Sequence, residues 1–217
     1  MIEVNWMKSI LYITANPKRE ELSNSLTVGR RLVNAYRSLN PDAAITEIDV
    51  YRQPIPLVNE HFLAARPKIA AGEVPDQLPP EEKEITERFY ARTLQFMEAD
   101  TYIFAFPLWN FGVPPLLKAY VDTIKVARKT FRYTPAGPEG LLKNKTAVLI
   151  QSSGDVYTTG PLREYEHGSR YLKSVLSFIG VERIETILME GMDKSGGDAT
   201  EKRNQAIERA VELAKTL

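Results

Sequence analysis

Three segments of the sequence place polar or aromatic residues just after short apolar runs. They span residues 16–25, 107–112 and 152–157. The apolar runs before them are typical of buried parallel strands, and in an open parallel sheet the ligand crevice lies beyond the carboxyl ends of the strands. The three segments therefore predict the walls of one shared binding site, because one ligand explains all of them at once.

The first segment combines hydroxyl groups with the start of a helix. Ser23, Asn24 and Ser25 open a run with helical spacing, so their side chains and the free N–H groups of the helix start suit a phosphate. The local pattern by itself favours a simpler interpretation, in which Ser23 only caps the helix. Lys18 and Arg19 add positive charge, although such side chains are commonly just solvated. The glycines of G-x-G-x-x-G and the P-loop lysine are absent from this segment, which argues against a Rossmann-type dinucleotide or a nucleoside triphosphate.

The second and third segments suit a flat ring and its polar edge. Trp109 and Phe111 follow a predicted strand end, where a large aromatic side chain must pack on something, and a heteroaromatic ring would stack there. Packing under the loop is the alternative, and composition alone favours it. Ser152, Ser153 and Gly154 form either a loop that passes close to a ligand or an ordinary turn. Taken singly, neither segment decides between these interpretations.

Composition excludes several kinds of chemistry. The 217 residues include no cysteine and two histidines, His61 and His167, so we predict no metal site, and redox chemistry requires a bound cofactor. The 28 basic and 28 acidic residues cancel, and nothing selects a nucleic acid or a membrane as partner. The sequence contains no G-x-S-x-G elbow of a serine hydrolase. The N-terminal residues, with Glu3 and no basic region, predict a cytoplasmic protein.

Strand and helix patterns alternate along the chain. Apolar or alternating runs predict strands at residues 9–15, 44–50, 102–106, 146–151 and 183–189. Helical spacing predicts helices at residues 26–39, 81–98, 114–126, 165–179 and 199–217. The proline-rich residues 51–80 indicate a long functional loop with a short helix near 60–65, and residues 130–134 indicate an extended excursion. This order predicts a single α/β domain over residues 1–217, with a parallel sheet and helices on both faces.

Four segments carry a resemblance to one family over nearly the whole chain. The chain resembles the FMN-dependent NADH-azoreductases, relatives of the flavodoxin-like NAD(P)H:quinone reductases, in LYITANP, FPLWNFGVPPLLKAYVD, TFRYTPAGPEGLL and SFIGV. The resemblance implies a flavodoxin-like fold with a five-stranded parallel sheet in the order 2-1-3-4-5. It also implies a bound FMN, NADH or NADPH as electron donor, and a homodimer with two sites at the interface.

The resemblance also assigns residues to the parts of FMN. It implies that the phosphate and ribityl chain lie among Asn16, Ser23, Asn24 and Ser25. It implies that the isoalloxazine ring lies against Leu108, Trp109, Asn110 and Phe111, with its pyrimidine edge at Ser152, Ser153, Gly154 and Asp155. Relatives often have Gly-Gly where this chain has Gly154-Asp155, and a carboxylate facing the flavin would oppose its anionic reduced form. We therefore expect the side chain of Asp155 to turn away.

The reaction that the resemblance implies is electron transfer from NAD(P)H to quinones or azo compounds. FMN takes a hydride at N5 and then passes it to the second substrate in the emptied site, a ping-pong scheme, and we assign no catalytic residue. Phe131, Tyr133 and Tyr157 are candidates for a wall that stacks the substrates, although aromatic residues in such loops are also ordinary packing. The alternative is an FMN-binding electron carrier or regulatory protein without NAD(P)H turnover; such a carrier would usually be smaller and acidic.

Overall fold

A central parallel sheet organises the molecule. The computed structural model describes residues 9–194 and 198–217. Glu3, one of the residues from which a cytoplasmic location was predicted, lies outside these ranges. The strands are β1 (Ile10–Thr14), β2 (Ile45–Asp49), β3 (Thr101–Pro107), β4 (Phe131–Thr134), β5 (Gly137–Gly140), β6 (Thr146–Ser152) and β7 (Arg183–Met189). Five of them form one sheet in the order β2-β1-β3-β6-β7, and every neighbouring pair is parallel. Counted within the sheet, this is the predicted order 2-1-3-4-5, which is confirmed.

Helices cover both faces of this sheet. They are α1 (Asn24–Leu39), α2 (Glu60–Ala71), α3 (Pro80–Glu98), α4 (Pro115–Ile124), α5 (Gly168–Phe178) and α6 (Ala199–Ala214). Successive side chains of a strand point to opposite faces, and the central strands are apolar on both. Tyr12 and Ile103 therefore pack towards α1 and α6, whereas Leu11 and Phe104 pack towards α3, α4 and α5. The predicted placement of helices on both faces is confirmed.

Residues 51–80 contain more regular structure than the sequence predicts. Instead of a short helix near residues 60–65, α2 covers 12 residues and contains Pro67. A proline inside a helix removes one backbone hydrogen bond, which is why the proline content argued against a helix. Phe62 of α2 stacks on Phe89 of α3 with ring centroids 3.8 Å apart. Tertiary packing therefore stabilises a helix that local sequence disfavours.

The helix predicted at residues 165–179 begins later, at Gly168. Glu166, which is buried, accepts hydrogen bonds from the backbone N–H groups of Ser169 at 2.8 Å and Arg170 at 3.3 Å. A carboxylate at this position satisfies the first N–H groups of the helix and complements its dipole. The helix therefore starts beyond Glu166, although the sequence pattern extends before it.

The excursion predicted at residues 130–134 is the first strand of a hairpin. β4 pairs antiparallel with β5, with Phe131 opposite Gly140. The segment after the hairpin lies against the end of α5, where the N–H of Leu142 donates to the carbonyl of Ile179 at 2.9 Å. Since α5 ends shortly before β7 begins, the hairpin lies near the amino edge of the sheet. The three predicted ligand segments lie at the opposite, carboxyl edge.

Candidate functional site

The turn from β1 into α1 gathers a buried polar cluster. The side-chain amide of Asn16 donates to Ser23 Oγ at 3.0 Å, and Ser23 Oγ lies 3.4 Å from Ser25 Oγ. These three side chains are at most 4% exposed. Asn24, which is half-buried, is the first residue of α1. The structure thus brings the four residues predicted for the phosphate together at one helix start.

Ser23 also caps α1, as the simpler interpretation of the sequence has it. Its side chain accepts a hydrogen bond from the N–H of Leu26 at 3.4 Å. Capping alone does not account for Asn16 and Ser25, which are buried beside it. Hydroxyl and amide groups that converge on the positive end of a helix dipole suit a phosphate. The donor set at this turn therefore fits the phosphate of FMN.

A cavity of about 680 Å³ opens on the β2 side of this turn. Lys18 and Arg19, the basic residues considered for the phosphate, are exposed and line this cavity. Arg30 crosses it and pairs with Glu20 at 2.9 Å and Glu47 at 2.6 Å. The hydrogen bonds from Arg30 hold the pKa of the Glu47 carboxyl below its ordinary value. The cavity is therefore lined by paired charges and lies beside the buried cluster.

Residues 108–112 form a sharp turn after β3. The N–H of Trp109 donates to the carbonyl of Gly112 at 3.0 Å, and the N–H of Gly112 donates back at 2.9 Å. Between them Asn110 and Phe111 have φ values of 46° and 70°, as in a type I′ turn. This conformation is unusual for phenylalanine, and strained backbone of this kind is enriched at functional sites. The turn leaves Trp109 37% and Phe111 44% exposed, so these rings are not packed under the loop.

Other aromatic side chains surround Phe111. Its ring centroid lies 5.0 Å from that of Tyr165 and 6.2 Å from that of Tyr157, the latter edge to face. The carbonyl of Phe111 accepts a hydrogen bond from the N–H of His167 at 2.9 Å. Trp109 meets the ring of Tyr51 edge to face at 6.2 Å. The turn therefore presents an aromatic surface that suits a flat ring.

The third segment, after β6, is fixed by backbone contacts with the loop after β7. The N–H of Ser153 donates to the carbonyl of Met189 at 2.8 Å, and Ser153 Oγ donates to the carbonyl of Asp155 at 2.8 Å. A Cβ atom on Gly154 would lie 2.4 Å from Oδ2 of Asp193, so the exposed side chain of Asp193 lies directly against this glycine. The loop after β7 therefore packs closely against the third segment.

The carboxylate of Asp155 is turned towards other groups of the protein. Its Oδ1 accepts a hydrogen bond from the N–H of Val156 at 2.6 Å and lies 2.7 Å from Lys194 Nζ. The hydrogen bond from Lys194 holds the pKa of the Asp155 carboxyl below its ordinary value. The negative charge at this position is thus paired within the protein. That the side chain of Asp155 turns away from the flavin stays a prediction.

Backbone bonds beyond the strand ends connect the three segments. The N–H of Leu108 donates to the carbonyl of Ser152 at 2.8 Å, and the N–H of Ala15 donates to the carbonyl of Ala105 at 2.9 Å. A Cβ atom on Gly168 would lie 2.8 Å from the side chain of Leu108, so α5 begins directly against the second segment. All twelve residues predicted for FMN therefore lie at one carboxyl edge.

The predicted substrate wall needs a correction. Phe131 is 4% exposed and its ring lies 4.8 Å from that of Phe178, so it is a core residue and not part of an open wall. Tyr133 is 74% exposed but lies beside Phe131 at 5.4 Å. Phe178 ends α5, about 15 Å from Gly168 at its start. Within one chain, of the three predicted residues, Tyr157 is the one beside the site.

A fourth loop at this edge, residues 190–194, was not among the predicted segments. It follows β7 as the other segments follow their strands, so the same signal was available. Glu190 Oε1 accepts a hydrogen bond from the N–H of Tyr157 at 2.7 Å, and Lys194 pairs with Asp155. The fourth loop therefore supports the third.

Two further features bear on the kind of site. Within residues 9–194 and 198–217, no three His, Cys, Asp or Glu side chains lie together as a metal ion would require. No helix among these same residues is long and apolar enough to cross a membrane.

Comparison with known proteins shows which family this chain belongs to. A family model described as the flavodoxin-like fold matches residues 8–214. A relative from Staphylococcus haemolyticus, named FMN-dependent NADH:quinone oxidoreductase, is 41% identical over 210 residues, which cover 97% of this chain and 100% of the relative. A relative from Listeria innocua, named FMN-dependent NADH:quinone oxidoreductase 2, is 42% identical over 187 residues, covering 86% of this chain and 89% of the relative.

Solved structures show the same likeness. The azoreductase from Bacillus anthracis str. Sterne superposes with a TM-score of 0.91 at 31% identity, over 97% of this chain and 100% of that one. The FMN-dependent NADH-azoreductase from Bacillus anthracis str. Ames Ancestor, in complex with FMN, gives a TM-score of 0.89 at 33% identity, over 97% of this chain and 99% of that one.

Proposed function

Because this chain belongs to the family with the flavodoxin-like fold, we propose that it is an FMN-dependent oxidoreductase that transfers electrons from NADH to quinones and azo compounds. The observation that carries the proposal is the meeting of a buried hydroxyl and amide cluster with an exposed aromatic turn at one carboxyl edge. This arrangement suits a ligand with a phosphate at one end and a flat ring at the other. NADPH is the alternative donor.

The residues would hold FMN in three parts. Asn16, Ser23, Asn24 and Ser25 would bind the phosphate and ribityl chain at the start of α1. Leu108, Trp109, Asn110 and Phe111 would hold the ring, and Ser152, Ser153, Gly154 and Asp155 would meet its pyrimidine edge. When bound, FMN supplies the capacity to accept a hydride and to donate it again.

The protein contributes positioning and electrostatics. Backbone N–H groups of the third segment would stabilise negative charge near the ring edge, and the pairing of Asp155 with Lys194 removes an opposing charge. The exposed rings of Trp109 and Phe111, together with the half-buried ring of Tyr157, would stack the nicotinamide and the acceptor. We propose that the two substrates occupy this surface in turn, because both need the same open face.

We propose in addition a homodimer with sites at the interface. Tyr133 is 74% exposed on the hairpin and lies at the other end of α5 from its own site. A solvent-exposed tyrosine on a projecting hairpin, and an aromatic site open on one side, suit contact between two copies. The cytoplasmic location also remains a prediction.

The test is an anaerobic absorbance spectrum of the protein reconstituted with FMN. One equivalent of NADH is added first, then a quinone or an azo dye. We expect the flavin bands to bleach with NADH and to return with either acceptor. A Trp109→Ala, Phe111→Ala double variant serves as the matched control, since it retains the phosphate cluster and removes the aromatic surface. It should bleach more slowly per bound FMN.

Two outcomes contradict the proposal. If FMN binds and neither NADH nor NADPH bleaches it, the protein is a carrier or regulator, the alternative that the sequence left open. If FMN does not bind, the three segments serve only the fold.

A further inference from the structure

Glu190, the first residue after β7, holds the tip of the third segment. Its Oε1 accepts a hydrogen bond from the N–H of Tyr157 at 2.7 Å, and its Oε2 accepts one from the hydroxyl of Thr158. Hydrogen bonds to a carboxylate are stronger than those between neutral groups. One side chain thereby fixes two consecutive residues of the loop.

Glu190 is itself held in place. The ammonium group of Lys202, on α6, donates to the carbonyl of Glu190 at 2.8 Å. The next residues pair with the third segment, with the N–H of Gly191 donating to the carbonyl of Asp155 at 3.1 Å. The backbone of Glu190 is therefore anchored to α6 through Lys202, and its carboxylate adds two bonds to the loop.

The residue that Glu190 fixes is the aromatic neighbour of the exposed turn. The ring of Tyr157 lies 6.2 Å from that of Phe111, at an interplanar angle of 67°. A shift of the Tyr157 backbone would change this edge-to-face contact and the width of the aromatic surface. The carboxylate of Glu190 bonds to the backbone N–H of Tyr157 and the hydroxyl of Thr158, and not to the tyrosine ring.

We propose that Glu190 is a positioning residue that acts through Tyr157 to set which flat acceptors the site admits. The inference rests on the proposed function for its meaning in turnover, but the positioning itself is a property of the protein alone. Removal of the carboxylate frees the backbone of Tyr157, so its ring is no longer held in one position beside Phe111 and a flat acceptor binds less tightly. The predicted result is a changed KM for the acceptor with little change in FMN affinity.

The first experiment needs neither FMN nor turnover. Amide hydrogen exchange is compared at residues 156–158 in the protein and in Glu190→Ala. We expect the amide of Tyr157 to exchange roughly tenfold faster or more in Glu190→Ala, because it loses a bond to a charged acceptor. Glu190→Gln keeps one oxygen acceptor and should lie between the two. Glu185→Ala, on the same strand but bonded to Arg183, should leave this exchange unchanged.

The second experiment tests whether the effect travels through Tyr157. In the reconstituted enzyme, Glu190→Ala should raise the acceptor KM severalfold while the FMN dissociation constant stays within about twofold. In a Tyr157→Ala background, Glu190→Ala should have no further effect on KM. Thr158→Val removes one of the two bonds and should move KM in the same direction by less, which keeps the test available if Glu190→Ala does not fold.

The proposal is overturned if the exchange of the Tyr157 amide is the same with and without the carboxylate. It is also overturned if the KM change persists at full size in the Tyr157→Ala background. If the parent protein shows no NADH-dependent turnover, the proposed function fails, while the exchange experiment still decides the positioning role.

Discussion

Ser23 has two roles that a single substitution separates. It caps α1, and it lies within the polar cluster with Asn16 and Ser25. Aspartate is as good a helix cap as serine, but its charge would repel a phosphate. Because Ser23 is buried, we expect Ser23→Asp to lower the free energy of unfolding by no more than about 3 kcal/mol, since the new carboxylate still caps the helix. We expect its affinity for FMN to fall roughly tenfold or more, with riboflavin affinity unchanged, by fluorescence titration.

A cap far from the site provides the control for this prediction. Asn59 caps α2, and its side chain accepts a hydrogen bond from the N–H of Phe62 at 2.9 Å. Asn59→Asp introduces the same charge at a helix cap that is exposed, and it should change neither affinity. Unchanged FMN binding by Ser23→Asp would show that Ser23 is a cap and nothing more.

Residue types were enough to indicate the site but not every side chain's place in it. Trp109 and Phe111 follow a strand end, which the sequence shows. Their exposure depends on the positive φ of Phe111, and a phenylalanine in the sequence does not indicate such a backbone conformation. Phe131 and Tyr133 resemble site aromatics in sequence, yet the first is buried against Phe178. Which ring faces the ligand depends on tertiary packing, which local sequence does not encode.

At the scale of elements, α1 depends on one glycine against β1. A Cβ atom on Gly29 would lie 2.5 Å from Tyr12 Oη and 3.0 Å from Ala105 Cβ. Tyr12 is fully buried, and its hydroxyl donates to the carbonyl of Leu26 at 3.3 Å. Alanine favours a helix over glycine by about 1 kcal/mol, but overpacking typically costs about 1–3 kcal/mol. We expect Gly29→Ala to lower the free energy of unfolding, measured by denaturant titration.

Two further variants test whether the loss of stability in Gly29→Ala comes from the contact with Tyr12. Tyr12→Phe in the Gly29→Ala background removes the nearest atom and should restore part of the loss. Ser38→Ala, at an exposed position of the same helix, should change stability by less than about 0.5 kcal/mol. A Gly29→Ala protein as stable as the parent would mean that β1 and α1 separate at little cost.

The strands of the sheet were predictable from the pattern of their apolar residues. The length of α2 and the start of α5 were not, because single tertiary contacts decide them. β1, β3 and β6 follow from short apolar runs, because both of their faces are buried, whereas the edge strand β2 follows from alternating apolar and polar residues. α2 was predicted too short, because Pro67 argues against a helix that Phe62 stabilises through Phe89. The start of α5 was misplaced because the buried carboxylate of Glu166 decides it.

At the scale of the whole molecule, the hydrophobic clusters on the two faces share the strands of one sheet. Alternate residues of β1, β3 and β6 belong to the cluster on each face, so neither cluster can form without the other. We therefore propose that the described residues fold as one domain. The same sheet separates the site at its carboxyl edge from the hairpin at its amino edge, so one copy cannot bring Tyr133 to its own site.

Subunit mixing tests whether Tyr133 serves the site of a second copy. Trp109→Ala and Tyr133→Ala are each expected to lower NADH:quinone turnover. If each site combines the turn of one copy with the hairpin of the other, a hybrid dimer has one site with both defects and one with none. Random exchange makes half of the dimers hybrid, so roughly a quarter of all sites should regain full activity. Turnover is measured after the two purified variants are mixed and allowed to exchange subunits.

The control is Leu39→Ala, which changes an exposed apolar residue at the end of α1. A mixture of Leu39→Ala with Trp109→Ala should show only the average of the two activities. The expected recovery depends on pairing and not on improved folding, because each variant contributes an unchanged half of the intact site. Absence of recovery in a mixture that sedimentation shows to be dimeric would mean that Tyr133 takes no part in the partner's site, and the projecting hairpin would then serve only the fold.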